Sequence, residues 1–376
     1  MQKRIRIVSI GIILIVLFIS ITLNNNTNNK HTFKKDGILY ALSLDGKSIT
    51  SFPSKGLYKA NVSCEGADGK WLYDDWKLAI ENITGDVSCD IKFETITKTY
   101  FNDYITGLAG TTQGTEQVVN ENGYRYEGKN PNNYVWFNNE YWRIIGVFDS
   151  ASHGQSGKNL VKIIRADVLD GLAWHKSNTN DWTAASLNSL LNGAYYNAQD
   201  GTSSGYCYGY STTATANCDY TKKGIQSGYR SMIAEVTWYL GGYSSASATT
   251  ESFYGYERGT TVYSGRPTTT TGYIGLMYPS DYGYSVLSSS CARTTNLGSY
   301  NTATCAGQSW LYGKGYEWTI TPYSSYSGGV FNLNDNGFLY NGANTGYGGR
   351  PVLYLDASVY KIDGEGTLDK PYIIGM

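Results

Sequence analysis

An apolar run near the N-terminus, Val8 to Leu23, constrains this chain most, because it decides which residues fold in water and on which side of a membrane. Lys3, Arg4 and Arg6 precede the run, and the polar stretch NNNTNNKHTFKK follows it. Basic residues beside a membrane segment stay in the cytoplasm. We therefore expect residues 1–32 to form a signal-anchor in the cell membrane, with the C-terminal part of the chain extracellular.

A cleaved signal peptide is the alternative for this segment. The run is shorter than the roughly 20 residues of a typical spanning helix, and signal peptides begin in the same way. No small-x-small cleavage site follows it, and the absence of a cysteine before Cys64 excludes a lipoprotein anchor. The sequence favours a single-pass membrane protein, which would be secreted if the segment were cleaved.

Six cysteines fall into three pairs that are close in sequence, which agrees with an oxidising location. Many connectivities are open to six cysteines, so the pairing rests on the organisation of the segments. In two pairs the intervening residues are polar loops, where a disulfide restricts chain that packing cannot. The spacing does not suit zinc. The predicted disulfides are Cys64–Cys89, Cys207–Cys218 and Cys291–Cys305.

The composition argues against nucleic-acid binding but is compatible with other kinds of recognition. Only 16% of the residues are charged and the formal net charge is -1, so no basic field attracts nucleic acid. The chain contains 35 Tyr and 44 Gly, and rigid amphipathic rings with neutral polar neighbours are typical of recognition surfaces. The alternative is that Tyr and Gly simply supply strands and turns.

Turn residues divide the remainder of the chain into three regions. Residues 33–97 read as short strands broken by DGK, PSKG, GADGK and TGD, which predicts a small disulfide-stapled β module. Residues 98–130 have weak periodicity, and we interpret them as a connector with a short helix near residues 100–108. Residues 131–376 form the predicted C-terminal domain.

The C-terminal domain combines short antiparallel strands, two helices and long loops. YVWF, the pair Asn138 and Asn139, and EYWRIIGVF predict a hairpin with a two-residue loop, and NLVKIIRAD predicts another strand. WTAASLNSLLNG reads as a helix capped by Asp181, and SMIAEVTWYLGG reads as a second helix. Further strands are predicted in YIGLMYP, EWTITP, VFNLNDNGFLY and RPVLYLD. These elements indicate an α+β fold class.

Arginine and proline open the last of these strands. Pro351 fixes φ at the first strand residue, a position where a sheet tolerates proline. Arg350 has five donors that can bond loop carbonyls. We predict a structural role for Arg350 rather than ligand binding.

The ordered series WRIIGVF, SLNSLLNGAYYN, YIGLMYPSDYG, EWTITP and GGRPVLYLD resembles a family of uncharacterised domains from Gram-positive bacterial surface proteins. Those domains look related to the formylglycine-generating-enzyme and C-type-lectin-like superfold. The resemblance covers Tyr124 to Met376, and residues 33–97 resemble a small module that accompanies such domains. It implies a lectin-like or formylglycine-enzyme-like architecture and little about activity.

Catalytic motifs are not found in the sequence. A nucleophilic triad needs a histidine base, and the chain offers His31, His153 and His175 without a GxSxG elbow. The formylglycine-generating branch of the resemblance uses two closely spaced reactive cysteines, whereas Cys291 and Cys305 are better explained as a disulfide. We predict no catalytic residues and no cofactor.

Two acidic segments were weighed as calcium sites. Asn332 to Gly337, NLNDNG, resembles the start of an EF-hand loop, but Ala343 stands where a bidentate glutamate is required. A hairpin turn is the better interpretation. Asp363, Glu365 and Asp369 also suit a tight exposed turn, and we assign no metal site to either segment.

Aromatic residues in or beside loops are the remaining functional candidates. Rings there can stack on sugars or pack against a protein partner. We select Trp174, Tyr282 and Tyr323 as ligand-facing. The wider set also contains Trp182, Tyr206, Tyr208, Tyr210, Tyr284 and Tyr326.

Together these features predict a membrane-anchored extracellular bacterial surface protein that recognises or adheres to glycan or another surface protein. One alternative is a redox or hydrolytic enzyme of the cell envelope. A structural envelope component is the other. Beyond the membrane and such a ligand, no partner is predicted, and nucleic acid is excluded.

Overall fold

The computed structural model describes residues 32–35, 38–110, 112–113, 116–213, 217–300, 304–334 and 337–376. It divides the chain into two compact units, one ending at Thr97 and one from Lys98 to Met376. The predicted signal-anchor, Val8 to Leu23, lies outside the described residues. No helix within those described ranges has the length and apolar character needed to cross a membrane.

The smaller unit consists of strands. Its elements are β1 (Thr32–Lys35), β2 (Ile38–Leu44), β3 (Lys47–Ser48), β4 (Tyr58–Glu65), β5 (Asp68–Leu72), β6 (Lys77–Glu81) and β7 (Val87–Thr95). The main sheet has the order β1-β2-β7-β4, in which β2 and β7 are parallel and the other pairs antiparallel. β3 pairs with β2, and β5 forms a hairpin with β6.

Alternation along β7 builds the core of this unit. Cys89, Ile91 and Phe93 are buried, whereas the residues between them are more exposed, as expected for a strand with one face inward. Trp71 packs edge-on against Phe93 with ring centroids 5.0 Å apart. Cys89 lies directly opposite Cys64 on β4, and the predicted disulfide between them is confirmed.

The larger unit mixes many short strands with short helices. Its first strands are β8 (Thr99–Tyr100), β9 (Thr112–Gln113), β10 (Glu116–Asn120), β11 (Tyr124–Tyr126), β12 (Tyr134–Phe137), β13 (Glu140–Phe148), β14 (Leu160–Arg165), β15 (Leu169–Ala173) and β16 (Val236–Tyr239). The later strands are β17 (Thr269–Gly272), β18 (Ile274–Gly275), β19 (Glu317–Pro322), β20 (Gly329–Asn334), β21 (Gly337–Gly342), β22 (Gly346–Gly349), β23 (Val352–Tyr354), β24 (Tyr360–Asp363) and β25 (Tyr372–Gly375). The α-helices are α1 (Phe101–Thr106), α2 (Ser150–His153), α3 (Ser186–Leu190), α4 (Thr250–Glu257) and α5 (Pro279–Ser285).

Shorter helical turns complete the larger unit. A π-helical turn, Leu191–Tyr195, continues α3. The 3-10 turns are Trp182–Ala184, Ser227–Met232, Leu297–Ser299 and Ala306–Gln308.

Two sheets carry most of the larger unit. The largest has the order β18-β23-β14-β13-β12-β25-β24-β8, and β11 joins it beside β13 with β10 and β9 following. The second has the order β15-β22-β19-β20-β21, and β16 and β17 form a two-stranded sheet. The fold is thus mixed and rich in sheet, as the α+β class predicts, while the lectin-like or formylglycine-enzyme-like architecture stays a prediction.

The hairpin of β12 and β13 has the predicted two-residue loop. Asn138 and Asn139 have φ values of 58° and 59°, the left-handed conformation that a tight hairpin requires at both positions. The Asn138 side chain donates to the Gly224 carbonyl at 3.1 Å and accepts from the Gln226 backbone N–H at 2.8 Å. This turn therefore also holds a distant loop.

The first predicted helix is confirmed in part and the second is wrong. The Asp181 carboxylate accepts from the Thr183 N–H, so it caps a 3-10 turn that leads into α3. The segment SMIAEVTWYLGG instead forms a 3-10 turn followed by β16. Val236 and Trp238 are buried while Thr237 and Tyr239 are half-buried, so the β-branched and aromatic residues alternate with the period of a strand.

Residues 98–130 do not form a separate connector. Phe101 and Ile105 of α1 are fully buried in the core of the larger unit, and Val118 of β10 joins them. The helix α1 itself lies within the predicted range of residues 100–108. This segment has too few apolar residues to show a helical or strand period in the sequence. Those it has are nevertheless buried against residues that are distant in sequence.

The remaining predictions for this unit concern its loops and last strand. The disulfides Cys207–Cys218 and Cys291–Cys305 are confirmed. Arg350 is buried, pairs with the Glu317 carboxylate and donates to the Leu311 carbonyl at 3.0 Å. Its structural role is confirmed. Pro351 directly precedes β23, which lies between β14 and β18 in the largest sheet.

Candidate ligand-binding surface

Two stacked tyrosine pairs meet at one edge of the larger unit. The Tyr323 ring lies on the Tyr340 ring with centroids 3.9 Å apart and planes inclined by 20°. The Tyr243 and Tyr256 rings stack at 4.1 Å and 8°. The backbones of Tyr243 and Tyr323 form an isolated parallel bridge, which joins the two stacks. We call these four residues together with Tyr326 the tyrosine surface.

The tyrosine surface presents rings to solvent. Tyr326 and Tyr340 are 46% and 44% exposed, and the other three tyrosines are half-buried. Tyrosines of this kind offer an apolar ring face and a hydroxyl that bonds in either direction. The arrangement therefore combines two exposed rings with three half-buried ones.

Asn180 fixes the loop that carries Tyr323 and Tyr326. Its side-chain NH2 donates to the carbonyls of Tyr323, Tyr326 and Gly329 at 2.9, 3.0 and 3.1 Å. Arg266 donates to the Asn180 side-chain oxygen at 3.3 Å. A buried amide with every group bonded holds its surroundings in one conformation. The ring faces are accordingly held in place before any ligand binds.

Two positions of the same loop require glycine, because neighbouring atoms leave no room for a Cβ. A Cβ on Gly328 would lie 2.6 Å from the Asn178 carbonyl oxygen, and one on Gly329 would lie 2.9 Å from the Tyr323 Cβ. The Asn178 side chain also donates to the Tyr326 hydroxyl at 3.1 Å. The immediate neighbours of the exposed rings are thus amides and hydroxyls.

Burial affects the phenol groups of two residues of the tyrosine surface. Burial, followed by the neighbouring Tyr340, raises the pKa of Tyr323 above its usual value. Burial and the neighbouring Tyr243 raise the pKa of Tyr256 in the same way. Tyr323 and Tyr256 are therefore uncharged at neutral pH, and no aspartate, glutamate, lysine or arginine is among the five residues of the tyrosine surface.

Of the three aromatics selected from the sequence, only Tyr323 belongs to this surface. Trp174 is fully buried, donates to the Thr319 carbonyl at 3.1 Å and packs on Trp182. Tyr282 is fully buried in α5, a helix that the sequence analysis did not predict. Neither ring faces a ligand, because each fills the core beneath a loop.

The other aromatic candidates divide in the same way. Trp182 and Tyr284 are buried, and Tyr208 is half-buried. Tyr206 and Tyr210 are 45% and 60% exposed in a different loop. They do not join the tyrosine surface through any stacked pair among the described residues.

The histidines and cysteines form no nucleophilic arrangement in the described chain. His175 accepts from the Ser177 backbone N–H at 2.9 Å, and burial lowers its pKa. All six cysteines are closed in disulfides, so a thiol-based redox enzyme has no free thiol. No group of three metal-ligating side chains was found among the residues with described positions.

Sequence reasoning missed Tyr243, Tyr256 and Tyr340. Tyr340 stands opposite Phe331 across the β20–β21 hairpin, and alternation along VFNLN and GFLY was a usable signal for its face. Tyr243 follows Gly241 and Gly242, where we placed only a helix end. Its stacking on Tyr256 depends on contacts that no local pattern predicts.

Comparisons with known proteins identify no relative of this chain. No protein-family model, no curated protein and no solved structure matches the chain.

Proposed function

We propose that this protein is an exported bacterial surface protein whose tyrosine surface binds neutral glycans. The observation that carries the proposal is the pair of joined tyrosine stacks, with Tyr326 and Tyr340 each nearly half exposed. Sugar rings present flat C–H faces that pack against aromatic faces, while their hydroxyls bond to neighbouring amides and hydroxyls.

The charge of the surface favours neutral sugars. Its five residues are all tyrosines, and the amides of Asn178 and Asn180 bond to its central loop. An acidic glycan would need a cation that contacts the rings, whereas Arg266 contacts the loop through the Asn180 side-chain oxygen. Pre-organisation of the loop by Asn180 lowers the entropy lost on binding.

The proposed location rests on the sequence and the disulfides. The basic residues before Val8 to Leu23 support a signal-anchor with the larger part of the chain outside the cell. Three disulfides agree with an oxidising environment. The resemblance to Gram-positive surface domains supports the same location.

A glycan array probed with the full chain in mild detergent tests this proposal. We expect selective binding to neutral glycans that is equal with calcium and with a chelator, because the tyrosine surface contains no acidic ligand. A Tyr206→Ala/Tyr210→Ala variant is the matched control for adhesive tyrosines, and it should bind as the parent does. Binding confined to acidic glycans, or a blank array, would contradict the proposal and direct the search to protein partners.

A further inference from the structure

A lysine and an aspartate meet inside the core of the larger unit. Lys162 on β14 places its Nζ 2.5 Å from Oδ2 of Asp281 on α5, and both side chains are 1% exposed. Arg125 on β11 donates to the other carboxylate oxygen, Oδ1, at 3.0 Å. These residues are far apart in sequence, and the fold alone brings them together.

Aromatic rings surround the lysine amine. The Tyr278 ring centroid lies 4.4 Å from Lys162 Nζ, and the rings of Phe148, Trp238 and Tyr354 lie within 6 Å, at 5.7, 5.9 and 5.7 Å. Burial lowers the pKa of Lys162 to about 8. At neutral pH, a larger fraction of Lys162 than of an exposed lysine is therefore in the uncharged, nucleophilic amine form.

A buried glutamate lies beside this pair. Glu257, the last residue of α4, accepts from the Ser280 N–H at 2.8 Å and from its hydroxyl at 2.6 Å, and Ser280 directly precedes Asp281. Burial raises the pKa of Glu257 to about 7, although Arg258 pairs with it. A carboxyl of this kind can both give and take a proton at neutral pH.

We propose that Lys162 and Asp281 condense into an intramolecular isopeptide bond with release of one water molecule. The Lys162 amine attacks Cγ of Asp281, a bond from Nζ to Cγ forms, and the bond from Cγ to Oδ2 breaks. Oδ2 leaves as water with two of the three protons that the lysine ammonium carried. The reaction needs no oxidant, because atoms and electrons balance between the ion pair and the amide with its water.

The remaining contacts suit this condensation. Arg125 on Oδ1 stabilises the negative charge that develops on that oxygen in the tetrahedral intermediate. The Tyr278 N–H donates to Oδ2 at 2.9 Å and so stabilises the departing oxygen. Condensation also removes two buried charges whose desolvation is costly. The amide oxygen that remains still accepts from Arg125.

Other ion pairs of the described chain lack this combination. Arg350 and Glu317 are equally buried, but a guanidinium stays protonated and is a poor nucleophile. Lys370 and Glu365 are 67% and 64% exposed, so water solvates both charges. Lys162 and Asp281 alone join a buried amine to a buried carboxyl among the described pairs.

Mass spectrometry of the full chain tests the isopeptide bond directly. After reduction and denaturation, proteolysis should release a branched peptide that contains Lys162 joined to Asp281 and lacks the mass of one water. Aspartates that precede glycine, such as Asp45 and Asp363, lose the same mass when they cyclise, so the branched peptide and not the intact mass is decisive.

Variants complete the test. Lys162→Arg should abolish the branched peptide, and Lys370→Arg at the exposed pair should leave it unchanged. Recovery of Lys162 and Asp281 only in separate, unmodified peptides from the folded parent chain would overturn the proposal. That result does not depend on whether any variant folds.

Discussion

Buried histidines show how single residues couple this fold to pH. His153 is fully buried, accepts from the Gln155 N–H at one ring nitrogen and contacts the Phe148 carbonyl, 3.1 Å away, with the other. The first nitrogen accepts, so the second carries the proton and donates. Both bonds suit the neutral ring, and burial lowers the pKa of His153 below its ordinary value of 6.5.

Acidification should therefore destabilise the fold through His153. The unfolded histidine takes up a proton near its ordinary pKa, whereas the folded one does so only at lower pH, so stability present above that value is lost as pH falls. Relative to His153→Asn, the parent chain should lose up to about 1.4 kcal/mol of unfolding free energy per pH unit in this range. Urea unfolding at about pH 7 and about pH 5 measures this difference, and equal losses in both proteins would contradict it.

Individual elements depend on turn chemistry that is local and visible in the sequence. Asn138 and Asn139 share the left-handed conformation, but only Asn138 is buried, where it bonds Gly224 and Gln226. Asn139 bonds only at the surface, where its Oδ1 accepts from the Tyr229 hydroxyl at 3.2 Å. The same substitution at the two positions therefore separates backbone conformation from the buried hydrogen bonding of Asn138.

Replacing each asparagine by glycine gives a matched pair. Asn138→Gly should cost about 2 kcal/mol of unfolding free energy, because the Gln226 N–H loses its acceptor and the Gly224 carbonyl loses one of its two side-chain donors. Asn139→Gly should change the unfolding free energy by less than about 0.5 kcal/mol, because glycine suits the turn and the residue is exposed. Denaturant titration of both variants measures these values, and equal losses would show that only the backbone conformation matters.

The sequence predicts those elements and site residues that depend on neighbouring residues, and it does not predict those that depend on contacts distant in the chain. Turn asparagines and paired cysteines act over a few residues, and both predictions were confirmed. The Asp181 cap was confirmed in part, because it caps a 3-10 turn before α3 and not α3 itself. The strand β16 was misread because four alternating residues follow a helix-like segment. Trp174 was wrongly predicted to face a ligand, because the sequence of a loop does not show whether a ring within it is buried in the core. Stacking between residues distant in the chain left Tyr340 and Tyr256 unseen.

At the scale of the whole molecule, each unit has its own core and its own disulfides. Trp71, Ile91 and Phe93 centre the small core, while Cys64–Cys89 bridges two neighbouring strands of the same sheet. A unit of this size buries little apolar surface, so a disulfide contributes a large share of its stability.

Removing this disulfide should affect only the smaller unit. Cys64→Ser/Cys89→Ser should lower its unfolding free energy by about 3 kcal/mol and leave the transition of the larger unit in place. Scanning calorimetry of the full chain separates the two transitions. Cys207→Ser/Cys218→Ser is the control and should shift the other transition, whereas one shared transition in both variants would refute independent cores.

The affinity for the strongest glycan on the array tests the central claim most directly. Tyr326→Ala/Tyr340→Ala removes the two exposed rings of the tyrosine surface, and a loss of about 1 kcal/mol per stacked ring should weaken binding about thirtyfold. Tyr206→Ala/Tyr210→Ala removes two exposed rings elsewhere and should leave the dissociation constant unchanged. Surface plasmon resonance of both variants gives the comparison. Equal affinities in the parent and the Tyr326/Tyr340 variant would contradict the claim that this surface binds glycan.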